Sequence, residues 1–566
     1  MSSLESSKPE FPRCIDAVGR ASLPASIDAG FKVAPRGRLF LILILLLFPI
    51  LSHAHIGSPN VFFDGNAGSY PVRVVIRPPD VIPGLAEISV RVETGGVRRV
   101  SVLPVRSDVG TKGAPPPDDA RLVRGETNLY TAELWLMTLG SYSVFVNVDG
   151  DQGGGRVIVP VNATALVQRP MPNVMKVFLV ALGSLLIVMA LTVIAAAARE
   201  GTLVPGEETR RRDRWRGRGW AIGTGLVGVL MFVGFMAWWR FEEGEFRNRR
   251  LYKPTPMQAQ VRKDDKRQVL HLDVLDESWK GGNWMGLIPD HGKIMHLFVV
   301  REPALDVFAH LHPIRRDADA FAVAWPPLPA GQYRAYADIT LANGFAATIT
   351  TNFMAPAPTG LSAPELGRVM AASGDAVCTS ATWTNDAAGA QSLMDPDDSW
   401  HEGRAAAVDA KSSRLDGGFE MTWKTPGALI VNREVTLEFD VRNRAGTIQP
   451  LQPYMGMLGH AAIRRDDGQV FVHLHPSGSI SMASQRGFEL REQGKSVPID
   501  SPKSAGRRPT VDPADHQAYA SQADALSETV RFPYAFPQVG RYRIWVQVKV
   551  AGRVLTGVFD TSVASQ

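Results

Sequence analysis

HAAIRRDDGQVFVHLHP, His460–Pro476, reads as a β-hairpin with histidines at both ends. Asp467-Gly468 is a strong signal for a two-residue turn between apolar strands. That turn pairs Asp466 with Gln469, and the register carries on to pair His460 with His475. A second copy, HLFVVREPALDVFAHLHP (His296–Pro313), is one residue longer. A three-residue loop, Pro303–Leu305, absorbs the difference by pairing Glu302 with Asp306, which sets His296 opposite His312. The repeat also extends upstream, where PDHGKIMH (Pro289–His296) aligns with PYMGMLGH (Pro453–His460). Directly opposed residues have Cβ atoms roughly 4.5–5.5 Å apart. His310 and His473 stand two residues back on their strands and share the same face. Each hairpin therefore gathers three imidazoles: His296, His310 and His312 in one, His460, His473 and His475 in the other.

Further outward, the chain is strand-like. PVRVVI, LAEISVRV, RRVSVLPV, LYTAELWL, SYSVFVNV and RVIVPV are short and rich in valine, and Gly, Pro and Asp turns separate them. This pattern predicts an antiparallel sandwich over 55–165. A Gly-x-Tyr opens an alternating strand in LMTLGSYSVFV (Leu136–Val146), PPLPAGQYRAYADI (Pro326–Ile339) and FPQVGRYRIWVQV (Phe536–Val548). A tyrosine that pins a loop through its hydroxyl is a structural device of sandwiches. The fold class expected is mainly β, with three Ig-like antiparallel sandwiches at 55–165, 257–356 and 417–566. Residues 357–416, rich in Ala, Ser, Gly and Asp, read as a linker, and 491–527 as a polar insertion in the third sandwich.

Three apolar runs set the expected topology. Leu39–Leu51 has thirteen apolar residues after a basic flank and before Ser52-His53-Ala54, which marks 1–54 as a signal-peptide region. The runs 177–198 and 220–239 are uncharged and long enough to cross a bilayer as helices. The loop between them, 199–219, carries seven arginines, and positive loops stay in the cytoplasm. All three sandwiches then lie outside, which for a bacterial inner membrane is the periplasm. The formal charge of +5 is accounted for by a net +2 in residues 1–38 and a net +3 in 199–218. The rest of the chain is neutral, which argues against a nucleic-acid partner. With only two cysteines, Cys14 and Cys378, no disulfide framework or thiolate zinc site is available.

Three neutral imidazoles on a rigid sheet face suit copper or zinc. Met295, Met455 and Met457 sit an odd number of residues from the first histidine and point to the opposite face of a straight strand. His271, His291, His401 and His516 lack this context and read as surface residues. No phosphate loop, Gly-x-Ser-x-Gly elbow or His-Glu-x-x-His motif is present, so the pattern favours a binding protein over an enzyme. The competing expectation is an interaction or scaffold protein of the envelope, acting through a protein partner, whose histidines serve the fold.

AHIGSPNVFFDGNAGSYPVRV and the HLHP…LPAGQYRAYADI segment resemble bacterial extracytoplasmic β-sandwich modules of the YtkA-like kind, which are related to FixH. The resemblance implies an Ig-like fold and a link to copper handling.

Overall fold

Residues of alternating character become strands because a pleated chain sends successive side chains to opposite faces. In Gly84–Val92, for example, Ala86, Ile88, Val90 and Val92 are buried while the residues between them are not. The computed structural model describes residues 60–204, 206–264, 267–279, 284–358, 379–382, 393–403, 407–425, 427–501, 503, 505–507 and 527–565. The signal-peptide region 1–54, His516 and most of the polar insertion lie outside these residues.

The fold is mainly β, as expected, with three sandwiches each formed by two sheets. The first pairs a five-stranded sheet with a four-stranded one between Val61 and Ala163. In the second, a four-stranded sheet faces a six-stranded sheet containing β1 (His296–Glu302), β2 (Val307–Leu311), β3 (Gly331–Thr340) and β4 (Ser399–Glu402). In the third, a four-stranded sheet faces a five-stranded sheet containing β5 (His460–Arg465), β6 (Phe471–Leu474) and β7 (Gly540–Val550). One short parallel pair, Leu429–Ile430 beside Val563–Ala564, departs from the antiparallel pattern.

The stretch 357–416 is more than a linker. Thr379–Thr382 and β4 extend the second sandwich beyond β2. Ser399–Glu402 is buried at every position, so it shows none of the alternation that marks a half-exposed strand. The described start of the 491–527 insertion is also structural. Asp500 packs on the second sandwich, where it accepts from Arg315 Nε at 2.6 Å.

Two helices follow the first sandwich, α1 (Asn173–Glu200) and α2 (Arg211–Arg249). Both are long and apolar enough to cross a membrane, and their apolar side chains are exposed. They extend beyond the uncharged runs 177–198 and 220–239. At their base, Tyr252 N–H donates to the Ala165 carbonyl at 2.8 Å, tying the chain that leaves α2 to the end of the first sandwich.

The packing of the second sandwich on the third positions everything below. Leu297, Val299, Ala309 and Leu311 point into the second sandwich's own core. The alternate residues Phe298, Val300 and Phe308, with Tyr336, point outward and meet Ala462, Phe471, Trp545 and Val558 of the third sandwich in one apolar layer. Tyr336 stacks on Phe471 with ring centroids 3.9 Å apart, and Phe308 on Trp545 at 4.9 Å. Tyr336 and Trp545 stand at matching places in β3 and β7, so an approximate two-fold relates the halves.

The three Gly-x-Tyr tyrosines act alike. Tyr142 Oη lies 2.8 Å from Thr138 Oγ1, while Tyr333 and Tyr542 donate to the carbonyls of Pro329 and Gln538 at 2.6 and 2.7 Å. Each bond reaches back four residues and fixes the turn before the strand. Replacing Tyr333 or Tyr542 by Phe removes one such bond, at a cost of about 1 kcal/mol. The expected result is a melting temperature lower by about 2–4 °C.

Candidate metal centre

Pairing of Leu297 with Leu311 and Phe298 with His310 continues to His296 opposite His312. Pairing of Ala461 with Leu474 and Ala462 with His473 continues to His460 opposite His475. The register is the one read from the residues, but the third-sandwich turn is longer than the two residues expected: Arg465 N–H donates to Val470 and Gly468 N–H to Arg465, both at 2.9 Å. The ligand-capable atoms of His296, His310 and His312 all lie within 4.8 Å of one another, and so do those of His460, His473 and His475. Either group could hold a metal ion.

The hydrogen bonds determine which nitrogens face inward. In the second sandwich, His296 Nε2 is 3.3 Å from the Asp290 carbonyl, and His310 Nδ1 is 2.9 Å from Gln547 Oε1. Gln547 Nε2 donates to Ser399 Oγ at 2.6 Å, which orients the amide with its oxygen toward His310. His312 Nδ1 is 2.9 Å from Asp398 Oδ1. In the third sandwich, His460 Nε2 is 3.2 Å from the Tyr454 carbonyl, and His473 Nδ1 faces Asp338 Oδ2 at 3.5 Å. Carbonyl and amide oxygens only accept, so the outer nitrogens of His296, His310 and His460 carry the protons. A neutral ring has one proton, which leaves lone pairs on the inner nitrogens of these rings.

Those inner nitrogens stand close together. His296 Nδ1 is 3.0 Å from His310 Nε2, and His460 Nδ1 is 3.2 Å from His473 Nε2. Two imidazole nitrogens bound to one ion at 2.0–2.1 Å would be roughly 2.9–3.4 Å apart for square to tetrahedral angles. Facing lone pairs repel at this distance unless a cation lies between them. An outer N–H held by an oxygen is the usual support of a metal-bound histidine. Both ring nitrogens of His475 are buried without a hydrogen bond of good geometry, and His291, the Asp290 carboxyl and the Ile480 backbone are the polar groups that act on this ring.

Burial keeps the rings neutral. Lost hydration lowers His296, His310, His460 and His473 well below the usual imidazole value, and the neighbouring rings add to the effect. His475 is lowered to about 4, again chiefly by burial. Asp338, half-buried, is raised to about 7 by the same loss of water. A further buried group, His312 with Asp395 and Asp398, also has metal-like spacing. There Lys293 Nζ bonds Asp395 at 2.8 Å and Asp397 at 2.8 Å, which compensates the acidic charge.

The two triads lie side by side. The His296 and His473 ring centroids are 5.4 Å apart, those of His310 and His473 5.7 Å, and those of His310 and His460 5.9 Å. The polar support is exchanged: Gln547 of the third sandwich holds His310 of the second, and Asp338 of the second faces His473 of the third. Asp338 in β3 and Gln547 in β7 are the pairing partners of His296 and His460, at matching places in the repeat.

His291 and His401, expected at the surface, are 5% and 0% exposed. His291 joins the histidine cluster, with its ring 5.3 Å from that of His475 and 6.0 Å from that of His460. His401 lies in β4 near Ser380 Oγ, 3.4 Å from Nδ1, and is lowered to about 4 by burial. The half-buried His271 faces Asp264 at 3.2 Å. Met295 lies in the second sandwich's own core and Met457 in the first sandwich's core, in keeping with their strand parity.

A cavity of about 200 Å³ opens at the junction of the three sandwiches. Asn162 of the first, Asp290, His296 and Asp338 of the second, and His473 and His475 of the third are among its walls.

A family described as a domain of unknown function (DUF8832) matches residues 413–565, the third sandwich. No curated protein matches the chain. Among solved structures, the native conformation of Escherichia coli alpha-2-macroglobulin is similar over 91% of this chain and 23% of its own, at 8% identity and a TM-score of 0.17. Dimeric latent PorU from Porphyromonas gingivalis is similar over 90% of this chain and 34% of its own, at 8% identity and a TM-score of 0.12. The chain thus spans about a quarter to a third of those two proteins. A putative membrane anchored protein from Corynebacterium diphtheriae is similar over 90% of this chain and 96% of its own, at 10% identity and a TM-score of 0.14.

The lowered imidazole pKa values predict an acid-labile metal-free protein. An unfolded histidine takes up its proton near pH 6.5, whereas the folded cluster resists it, so the unfolded state binds more protons below that pH. Stability is complete above about pH 6.5 and falls as the pH drops toward 4. His475 alone accounts for about 3 kcal/mol across that window. Denaturant midpoints of chelator-treated protein at pH 7.5 and pH 5 measure the effect. A midpoint that does not move would contradict it.

Proposed function

We propose that the chain is a membrane-anchored, extracytoplasmic metal-binding protein that handles or delivers copper. The observation that carries this reading is the inward set of imidazole lone pairs, forced by oxygen acceptors on the outer nitrogens. Nothing else in the described residues offers a comparable set of neutral donors. All-imidazole donors suit copper and zinc alike. The resemblance to YtkA-like modules favours copper. The absence of a hydrolytic motif favours binding over catalysis.

The anchor is the helix pair α1 and α2, with the arginine-rich loop in the cytoplasm and the sandwiches in the periplasm of a bacterial inner membrane. A reporter active only outside the cytoplasm should work at the C-terminus and fail when inserted near Arg212. Activity at Arg212 would reverse the orientation.

A rival reading keeps the histidines structural. It draws on the His296–His310 and His460–His473 contacts, which a shared proton would also satisfy. Metal analysis of the full chain, purified in detergent, stripped with chelator and titrated with copper or zinc, separates the two. The metal reading predicts stoichiometric binding that weakens as pH falls toward the imidazole range. It also predicts at least a tenfold loss of affinity in His310→Ala and His473→Ala. The structural reading predicts no stoichiometric metal, with both variants less stable whether or not metal is added.

A further inference from the structure

A turn that neither hairpin contains brings another imidazole to the cluster. His291 has φ 49° and is followed by Gly292 at φ 76°. Met455 and Gly456, their counterparts in the repeat, have φ 50° and 80°. A left-handed backbone is disfavoured for both His and Met, and such strain persists where the surrounding structure requires it. At 291 this turn buries an imidazole against the other sandwich's histidines. The His291 ring is 5.3 Å from His475 and 6.0 Å from His460, both in the third sandwich, and 6.2 Å from His296 in its own.

The outer faces of β1 and β5 meet, so the two triads cannot be loaded as isolated hairpins. The ring separations of 5.4–5.9 Å between triads are comparable with the 5.2–5.4 Å between some rings within them. Each triad also meets a polar side chain of the other sandwich: Gln547 accepts from His310 in one direction, and Asp338 faces His473 at 3.5 Å in the other. The cavity meets the cluster at His296, His473 and His475, and the carboxylates of Asp290 and Asp338 stand in its wall. The carboxyl groups of Asp290 and Asp338 thus share the cavity wall with the imidazoles.

We infer that the two triads and His291 form one two-ion centre closed across the interface of the second and third sandwiches, with His291 completing the third-sandwich triad. This rests on the metal-binding reading above and extends it to the number, coupling and ligands of the ions. The ions are soft-to-borderline divalent or monovalent metals, copper foremost, reached through the three-sandwich cavity.

The test uses the full chain in detergent, loaded with Cu(II). The total copper bound is compared with the spin count and line shape of its electron paramagnetic resonance. The expected result is two ions per chain with interacting spins. His291→Asn should weaken one of the two ions at least tenfold. Asn tolerates the left-handed conformation, so the metal-free melting curve should stay in place and report that the fold is intact. Two ions with independent spins, or a single ion per chain, would overturn the shared centre while leaving metal binding standing. Two coupled ions unaffected by His291→Asn would overturn the role of His291. A chain that binds no copper would overturn the metal reading itself.

Discussion

The contact between the outer faces of two sheets governs the rest of this molecule. Phe308 on Trp545 and Tyr336 on Phe471 form two nearly parallel stacks related by the approximate two-fold. Burying a large aromatic side chain stabilises by about 1.5–3 kcal/mol, and a stacked pair adds about 0.5–1.5 kcal/mol. That gain offsets the cost of removing six imidazoles from water on the same faces. Burial holds the His296, His310, His460, His473 and His475 rings toward the neutral form. The facing sandwich supplies an acceptor, Gln547, to His310 and sets Asp338 against His473. The same interface thus buries the histidines and helps to orient them.

The first sandwich closes the assembly from the side. Its edge strand meets the turn that follows HLHP in the third sandwich: Asp64 N–H donates to Ser477 and Ser479 N–H to Phe62. Gly478 lies between them at φ 117°, and a Cβ there would fall 2.0 Å from the Phe62 carbonyl oxygen, so only glycine lets the two chains approach. The chain then enters the short helix α3 (Met482–Glu492), capped by Ser481, whose hydroxyl accepts from Ser484 N–H and also bonds Thr340 of the second sandwich. Gln485 in α3 reaches the Ile158 carbonyl of the first. One turn and one helix therefore link all three sandwiches around the cavity that leads to the histidines. The helix pair extends from the base of the first sandwich, which leaves the cluster on the side of the strands rather than within the apolar helices.

Much of this was legible in the residues. Asp467-Gly468 and the one-residue difference between the copies were enough to place His296 opposite His312 and His460 opposite His475. The two uncharged runs marked the helices, and Gly-x-Tyr marked the pinned turns. The pairing of the two triads was signalled more weakly. HLFVV and VFAHL are apolar on both faces, a pattern that belongs to a sheet covered on both sides, yet it does not say what covers it. Asp338 and Gln547 are polar residues in otherwise apolar stretches of β3 and β7, visible only once the repeat is aligned through those strands. His291 and β4 were missed for a different reason. One sits in an irregular turn and the other in a segment buried throughout, so neither carries the alternation by which a strand is recognised.

The approximate symmetry also shows where the two halves have diverged. The backbone of the repeat is kept down to the left-handed turns at 291 and 455, and the three histidines of each hairpin occupy the same places. Their surroundings differ. His310 is held by a neutral amide and His473 faces a carboxylate that burial raises to about 7. His312 is held by Asp398, brought in by the segment before β4, while the carboxyl that acts on His475 is that of Asp290. The turn carries His291 in one copy and Met455 in the other, the latter packed with Tyr454 and Val554. A duplicated sandwich has thus kept one arrangement of three imidazoles twice while giving each copy a different polar and electrostatic setting.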